Sequence, residues 1–125
     1  MTLLFDENFS PKLVSALRAL DRDVIHLLQH RPRGTSDIDV FRLVQELGVC
    51  LVTKDAKIRR RKHEQEAYRQ AGIGVLIFTG TAQRTLMEEL AFLAEMIEVM
   101  EQLTEMERPP FVFEVTDRKK INRLE

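Results

Sequence analysis

Short apolar runs alternate with helix-periodic segments along nearly the whole chain. Leu3-Leu4-Phe5 is the first run, ended at once by the polar Asp6-Glu7-Asn8. Ser10-Pro11 then reads as a helix start, with a hydroxyl cap and a proline whose missing N–H costs nothing in the first turn. Leu13, Val14, Leu17 and Leu20 follow at helical spacing. Residues 23–27 predict a second strand and residues 30–34, rich in Arg, Pro and Gly, a loop. Ser36 caps a helix to about Leu47, with Val40, Phe41 and Val44 facing the core and Gly48 stopping it. Residues 49–53 and 73–78 are apolar without alternation, as strands covered on both faces are. Between them, residues 57–71 predict a helix ended by Gly72. A long helix is expected from Thr81 to about Glu107; Pro109-Pro110 breaks it, and residues 111–115 are a last strand.

Strands alternating with helices imply a three-layer α/β fold, with helices on both faces of a mostly parallel five-stranded sheet. The expected order 2-1-3-4-5 makes the first and third strands neighbours. Residues 1–116 form the expected domain, and the polar tail 117–125 is expected to fray.

Composition narrows the class. At 125 residues, 44% hydrophobic and 31% charged, the chain reads as one globular domain. Acids after only five residues argue against a signal peptide, and no run approaches a membrane span. One cysteine, Cys50, allows no intrachain disulfide, so a cytoplasmic location is expected. The net charge of −1 conceals a separation. Residues 54–63 carry six Lys or Arg against one Asp, whereas residues 86–107 carry seven Glu and no Lys or Arg.

Candidate chemistry centres on acids. Asp6 closes the first strand, Asp55 follows the third, and Asp37 opens the helix after Gly34-Thr35-Ser36. In an open α/β sheet, ligands bind beyond the carboxyl ends of the strands. Carboxylates gathered there without His or Cys suit a hard cation such as Mg²⁺ or Mn²⁺. Thr53 is placed to hold a carboxylate as a supporting hydroxyl. Asn8 either contacts a ligand or orients Asp6. Asp39 fits simple helix capping. Lys57, Arg59, Arg60, Arg61 and Lys62 crowd a helix start, where cations oppose the dipole; beside an acidic site they would instead grip phosphates. Glu64 either pairs with Arg60, Arg61 and Lys62 or reaches the metal site. Metal-dependent cleavage of a polyanion is the resulting expectation. His26, His30 and His63 have no metal-ligand spacing. No Gly-rich phosphate loop is present, and no Ser or Cys nucleophile has a matching His base.

The long helix carries two apolar seams, Leu86-Leu90-Leu93-Ile97-Met100 and Phe92-Met96-Val99-Leu103-Met106. Their arc is wider than docking on one sheet face requires. A homodimer through the Met-rich helix 82–107, or a helix buried between neighbours of its own chain, would each account for it.

The pattern FDEN-x-SPKLV-x-ALR resembles the short PIN-like proteins, relatives of VapC-type toxins of toxin–antitoxin pairs. The fragment VTKD-x-KIRRRKHE-x-EA resembles a branch in which TKD leads into a basic helix start and a Glu, and the PPF at 109–111 is similar. This resemblance implies a PIN-like fold and a Mg²⁺- or Mn²⁺-dependent endoribonuclease with a cognate antitoxin. By position it makes Asp6, Asp37 and Asp55 the catalytic acids and metal ligands, with Thr53, Lys54 and Asn8 in support and the basic segment on RNA. A fourth acid after the next strand, common in such nucleases, is missing from Ile77-Phe78-Thr79-Gly80; Glu64 is the substitute at hand. The competing expectation is a catalytically inactive PIN-like module that binds RNA or protein. A phosphoacceptor domain is disfavoured, because Val115-Thr116-Asp117-Arg118 lacks the lysine it needs.

Overall fold

The structure, a computed structural model, describes residues 1–55 and 61–125. Its strands are β1 (Leu3–Phe5), β2 (Val24–His26), β3 (Cys50–Thr53), β4 (Gly74–Phe78), β5 (Phe111–Val115) and β6 (Ile121–Arg123). Its helices are α1 (Pro11–Ala19), α2 (Asp37–Leu47), α3 (Lys62–Ala71) and α4 (Leu86–Met106), with a short 3₁₀ turn at Leu27–Gln29. The strands form one sheet in the order β2-β1-β3-β4-β5-β6, parallel except for the β5–β6 pair.

Side-chain alternation along each strand divides the core into two layers. Leu3, Phe5, Cys50, Val52, Leu76 and Phe78 face α1 and α4. Leu4, Leu51, Val75 and Ile77 face α2 and α3. Burial on both faces explains why β3 and β4 read as unbroken apolar runs. The predicted order of the first five strands is met. The helix ends also fall where the glycines put them: Gly48 and Gly72 both adopt left-handed backbone, at φ 65° and 66°.

Three expectations are corrected. The sheet has six strands, not five, because the tail supplies β6. A turn with Lys119 at φ 63° reverses the chain, and Thr116 N–H donates to Lys120 O at 2.9 Å. Ile121 then packs on one core layer and Leu124 on the other, so the segment does not fray. The long helix starts at Leu86 rather than Thr81, because Thr81 and Ala82 donate their amides to Asp117 at 2.9 and 3.0 Å. Thr85 and Glu88 then close a capping box. Most of the wide apolar arc is used inside the chain, as one of its two accounts has it. Phe92, Leu93, Met96, Ile97 and Met100 are buried, while Leu86, Met87, Val99 and Met106 stay exposed.

Gly74 shows how closely β4 and β5 approach. A Cβ there would lie 2.2 Å from the Phe111 ring. Gly74→Ala is therefore expected to cost about 1–3 kcal/mol through overpacking. A urea midpoint unchanged from wild type would show that the ring can move aside.

Candidate functional site

The direction of chain winding reverses between β1 and β3: β2 lies to one side of β1, and β4 and β5 lie beyond β3. Crevices outside the carboxyl ends of strands form at such a reversal. Asp6 follows β1 directly and extends its ladder, donating its N–H to Val52 O at 3.1 Å. Asp55 lies two residues past β3. Asp37 is the first residue of α2, which Ser36 caps by accepting from Asp39 N at 3.2 Å. All three acids line one crevice, together with Glu7, Asn8, Thr35 and Thr53.

Asp6 is the most constrained of them, only 8% exposed. Its Oδ1 accepts the Asn8 N–H at 3.0 Å, an Asx turn that settles how Asn8 orients Asp6. Its Oδ2 accepts the buried Thr53 hydroxyl and, at 3.4 Å, the Asn8 side-chain amide. The Thr53 oxygen also accepts the Asp55 N–H at 2.9 Å. One hydroxyl thus ties the Asp6 carboxylate to the backbone that carries Asp55. Burial pushes the Asp6 carboxyl above its ordinary value; hydrogen bonds from Thr53 and Asn8 oppose the rise, and the charge of Asp55 adds to it.

Glu64 is a further buried acid, outside the lining of the crevice. It lies in the first turn of α3, where the helix dipole favours an acid, and is 4% exposed. Oε1 is 3.6 Å from Arg61 and 3.8 Å from His63. Oε2 is buried and has no hydrogen-bond partner among the described residues. Burial, first, and then the charge of Asp37 push the Glu64 carboxyl up, and Asp55 adds to this against Arg61 and His63. Of the two alternatives for Glu64, the pairing with Arg61 is present.

An acid whose folded pKa is raised contributes stability below its unfolded value and loses that contribution as pH climbs through the folded value. For Glu64 the window opens at its ordinary 4.5 and extends upward. In chelator-treated protein, the Tm advantage of Glu64→Gln over wild type should therefore grow as pH rises above 4.5. A difference curve that is flat or falls with pH would contradict the burial argument.

An orphaned carboxylate oxygen facing like charges, in a set made wholly of oxygen donors, fits a hard divalent cation. As they stand, though, no three His, Cys, Asp or Glu side chains among the described residues are close enough to hold an ion.

The remaining candidates lie elsewhere or are only partly described. Lys54 points away from the crevice, 2.8 Å from Glu89 and over the Phe9 ring at 4.7 Å. Arg61 and Lys62 are exposed at the start of α3. Lys57, Arg59 and Arg60 lie outside the described residues. Asp39 pairs with Arg42 at 3.6 Å, as plain capping chemistry allows. His26 is structural: its Nε2 is 2.8 Å from Phe9 O, and its Nδ1 accepts the Leu28 N–H. Burial pushes the Cys50 thiol up, which leaves it unreactive. Sequence reasoning missed Glu7 and Thr35 as crevice-lining residues. The position of Glu7 beside Asp6 was the available sign; nothing local marked Thr35.

Fold and crevice together define an α/β protein with an acidic site at the reversal of its sheet. A family model described as "PIN like domain" matches residues 1–80, and the chain belongs to that family. No curated protein and no solved structure matches the chain. Among the described residues, no helix is long and apolar enough to cross a membrane.

Proposed function

We propose that this protein is a Mg²⁺- or Mn²⁺-dependent endoribonuclease, acting as the toxin of a toxin–antitoxin pair in the cytoplasm. The observation that carries the proposal is the crevice: Asp6, Asp37 and Asp55 line it, and the buried Glu64 has an Oε2 with no hydrogen-bond partner among the described residues. Membership of the PIN-like family supports the nuclease class. The toxin role rests on resemblance to VapC-type proteins and is the more distant step.

Asp6 and Asp55 would hold the cation, with Asp37 and Glu64 completing the oxygen set. Bound there, the ion would lower the pKa of an attacking water and neutralise charge on the phosphate. Thr53 keeps Asp6 and the Asp55 backbone in fixed relation, and Asn8 fixes the carboxylate plane. Arg61 and Lys62, with Lys57, Arg59 and Arg60 of the same basic run, would bind flanking phosphates.

Cleavage of single-stranded RNA by purified protein, stopped by chelation and restored by Mn²⁺, tests the activity. Growth arrest on expression, relieved by the product of an adjacent reading frame, tests the toxin role; harmless overproduction of an active nuclease counts against it. The second reading is an inactive PIN-like module that binds RNA or protein. It is favoured by Thr79-Gly80, which stand after β4 where a fourth acid is common. RNA binding with no cleavage under any divalent ion would select it.

A further inference from the structure

A second basic element borders the crevice, where Thr35 joins the two. It is the loop at residues 30–34, His30-Arg31-Pro32-Arg33-Gly34, between the 3₁₀ turn and the cap of α2. Its shape is fixed by its own hydrogen bonds. Arg31 N–H donates to Leu27 O at 2.9 Å, and the Thr35 hydroxyl donates to Pro32 O at 2.7 Å. Gly34, at φ 80°, turns its N–H to Glu7 Oε2 at 3.2 Å. Glu7 is the neighbour of Asp6, so the arginine loop is tethered to the segment that carries the buried acid.

A shallow surface depression runs along this loop, with Arg31 on the loop side and Arg42 on the α2 side. Thr35 lines both this depression and the acidic crevice, so the two are contiguous. Arg31, Arg33 and Arg42 are all exposed. Among the described residues, Arg42 is engaged only by the surface Asp39, at 3.6 Å with 70% of its side chain exposed. Such a pair is worth little in water and leaves the guanidinium available. Arg31 and Arg33 have no ion-pair partner among the described residues; Arg31 Nη1 donates only to His30 O, at 2.9 Å. Asp39 and Glu46 are the acids on the rim, both on the helix side.

The order β2-β1-β3 converts these placements into a charge pattern. The arginine loop and Asp37 follow β2, Asp6 follows β1 and Asp55 follows β3. A positive loop thus stands beside acids at the ends of three neighbouring strands, which span about 10 Å at the usual interstrand spacing. A cation-loaded acidic centre with arginines beside it matches a phosphodiester chain running past it, and guanidinium forks suit phosphate oxygens.

We propose that Arg31, Arg33 and Arg42 form a phosphate-binding subsite for single-stranded RNA, held against the acidic crevice by the Glu7–Gly34 tether. The inference rests on the nuclease reading for its choice of ligand but not for its test, which reads binding rather than cleavage.

The experiment measures binding of a fluorescein-labelled single-stranded RNA to the full chain in chelator, across a salt series. Arg31→Ala/Arg33→Ala is expected to weaken binding severalfold at low salt. It should also flatten the slope of log affinity against log salt by roughly 1.4, the value for two lost phosphate contacts on a single strand. Arg31→Lys/Arg33→Lys, which keeps the charge, should restore most of the slope. Glu7 supplies the sharper arm. Glu7→Ala removes a negative charge beside the RNA path, which by charge alone would tighten binding. If the tether matters it weakens binding instead, while Glu7→Gln, which keeps an acceptor for Gly34, does not. An unchanged slope in the double alanine variant, tighter binding by Glu7→Ala, or wild-type protein that binds no RNA each overturns the subsite. Cleavage assays on the same proteins separate the two readings. Slope loss without any divalent-dependent cleavage retains the subsite and removes the nuclease; cleavage with an unaltered slope and unaltered KM does the reverse.

Discussion

Asp6→Asn should abolish divalent-dependent RNA cleavage while leaving the fold as stable as before, or slightly more so. The activity loss follows from what the carboxylate would supply, a share of several kcal/mol of charge stabilisation. At about 1.4 kcal/mol per factor of ten, that is a loss of a hundredfold or more. The stability expectation has the opposite sign for a separate reason. Asp6 is 8% exposed, burial pushes its carboxyl up, and Asp55 pushes it further. At neutral pH its charge is therefore a liability in the metal-free protein. An amide keeps the size, can still accept the Asn8 N–H on its oxygen, and can donate its NH2 to the Thr53 oxygen where the carboxylate accepted the hydroxyl, while shedding that liability. Loss of function with gain of stability is the usual mark of a residue retained for its chemistry. Paired measurements of cleavage rate and chelated Tm decide the matter. Cleavage within a few-fold of wild type would remove Asp6 from the mechanism. A large fall in Tm would recast it as a structural residue.

Glu89→Ala should produce the largest change in stability of any single charge removal outside the crevice. Glu89 is buried in the first turn of α4, at 5% exposure. Its Oε2 lies 3.3 Å from Arg84 Nη1, and its Oε1 lies 2.8 Å from Lys54 Nζ, close as an ion pair though outside hydrogen-bond geometry. Arg84 continues the chain of charges to Asp117 at 2.7 Å and lies 3.8 Å over the Phe92 ring. Asp117 in turn holds the amides of Thr81 and Ala82. The network fastens the ends of β3, β4 and β5 to the start of α4. Breaking a buried pair by removing one member costs about 3–5 kcal/mol. The Lys54 side chain is 40% exposed, and water recovers part of that, so roughly 2–4 kcal/mol is expected. For a chain of this size the loss corresponds to a Tm lower by about 10 °C. Lys54 immediately precedes Asp55, so the change should reach the crevice as weaker Mn²⁺ binding. A shift in Tm of a degree or less would mean that the network is solvated and stabilises little.

The layering was legible because it depends on local pattern. Unbroken apolar runs at β3 and β4 and helical spacing in α1 and α2 each follow from burial on two faces or on one. Ser10, Ser36, Gly48 and Gly72 marked helix ends by backbone chemistry that needs no tertiary partner. The tail failed this reading because β6 is an edge strand: Ile121, with Leu124 just after the strand, packs on the core, and the residues before them are polar. The start of α4 was misplaced because Asp117, more than thirty positions away, takes the amides that would have opened the helix. Lys54 sits in the same motif as Thr53 and Asp55, yet alternation turns it to the opposite face, toward Glu89. Adjacency in sequence did not make it part of the crevice.

The sequence by itself determined which residues could become ligands and which strands had to be interior, since charge, side-chain chemistry and apolar periodicity are properties of the chain. Only the tertiary structure decided which carboxylates share a crevice, that Glu64 is buried, and that the Arg31 loop is tied to the neighbour of Asp6. Those outcomes depend on strand order and on hydrogen bonds between distant segments, which local pattern does not encode.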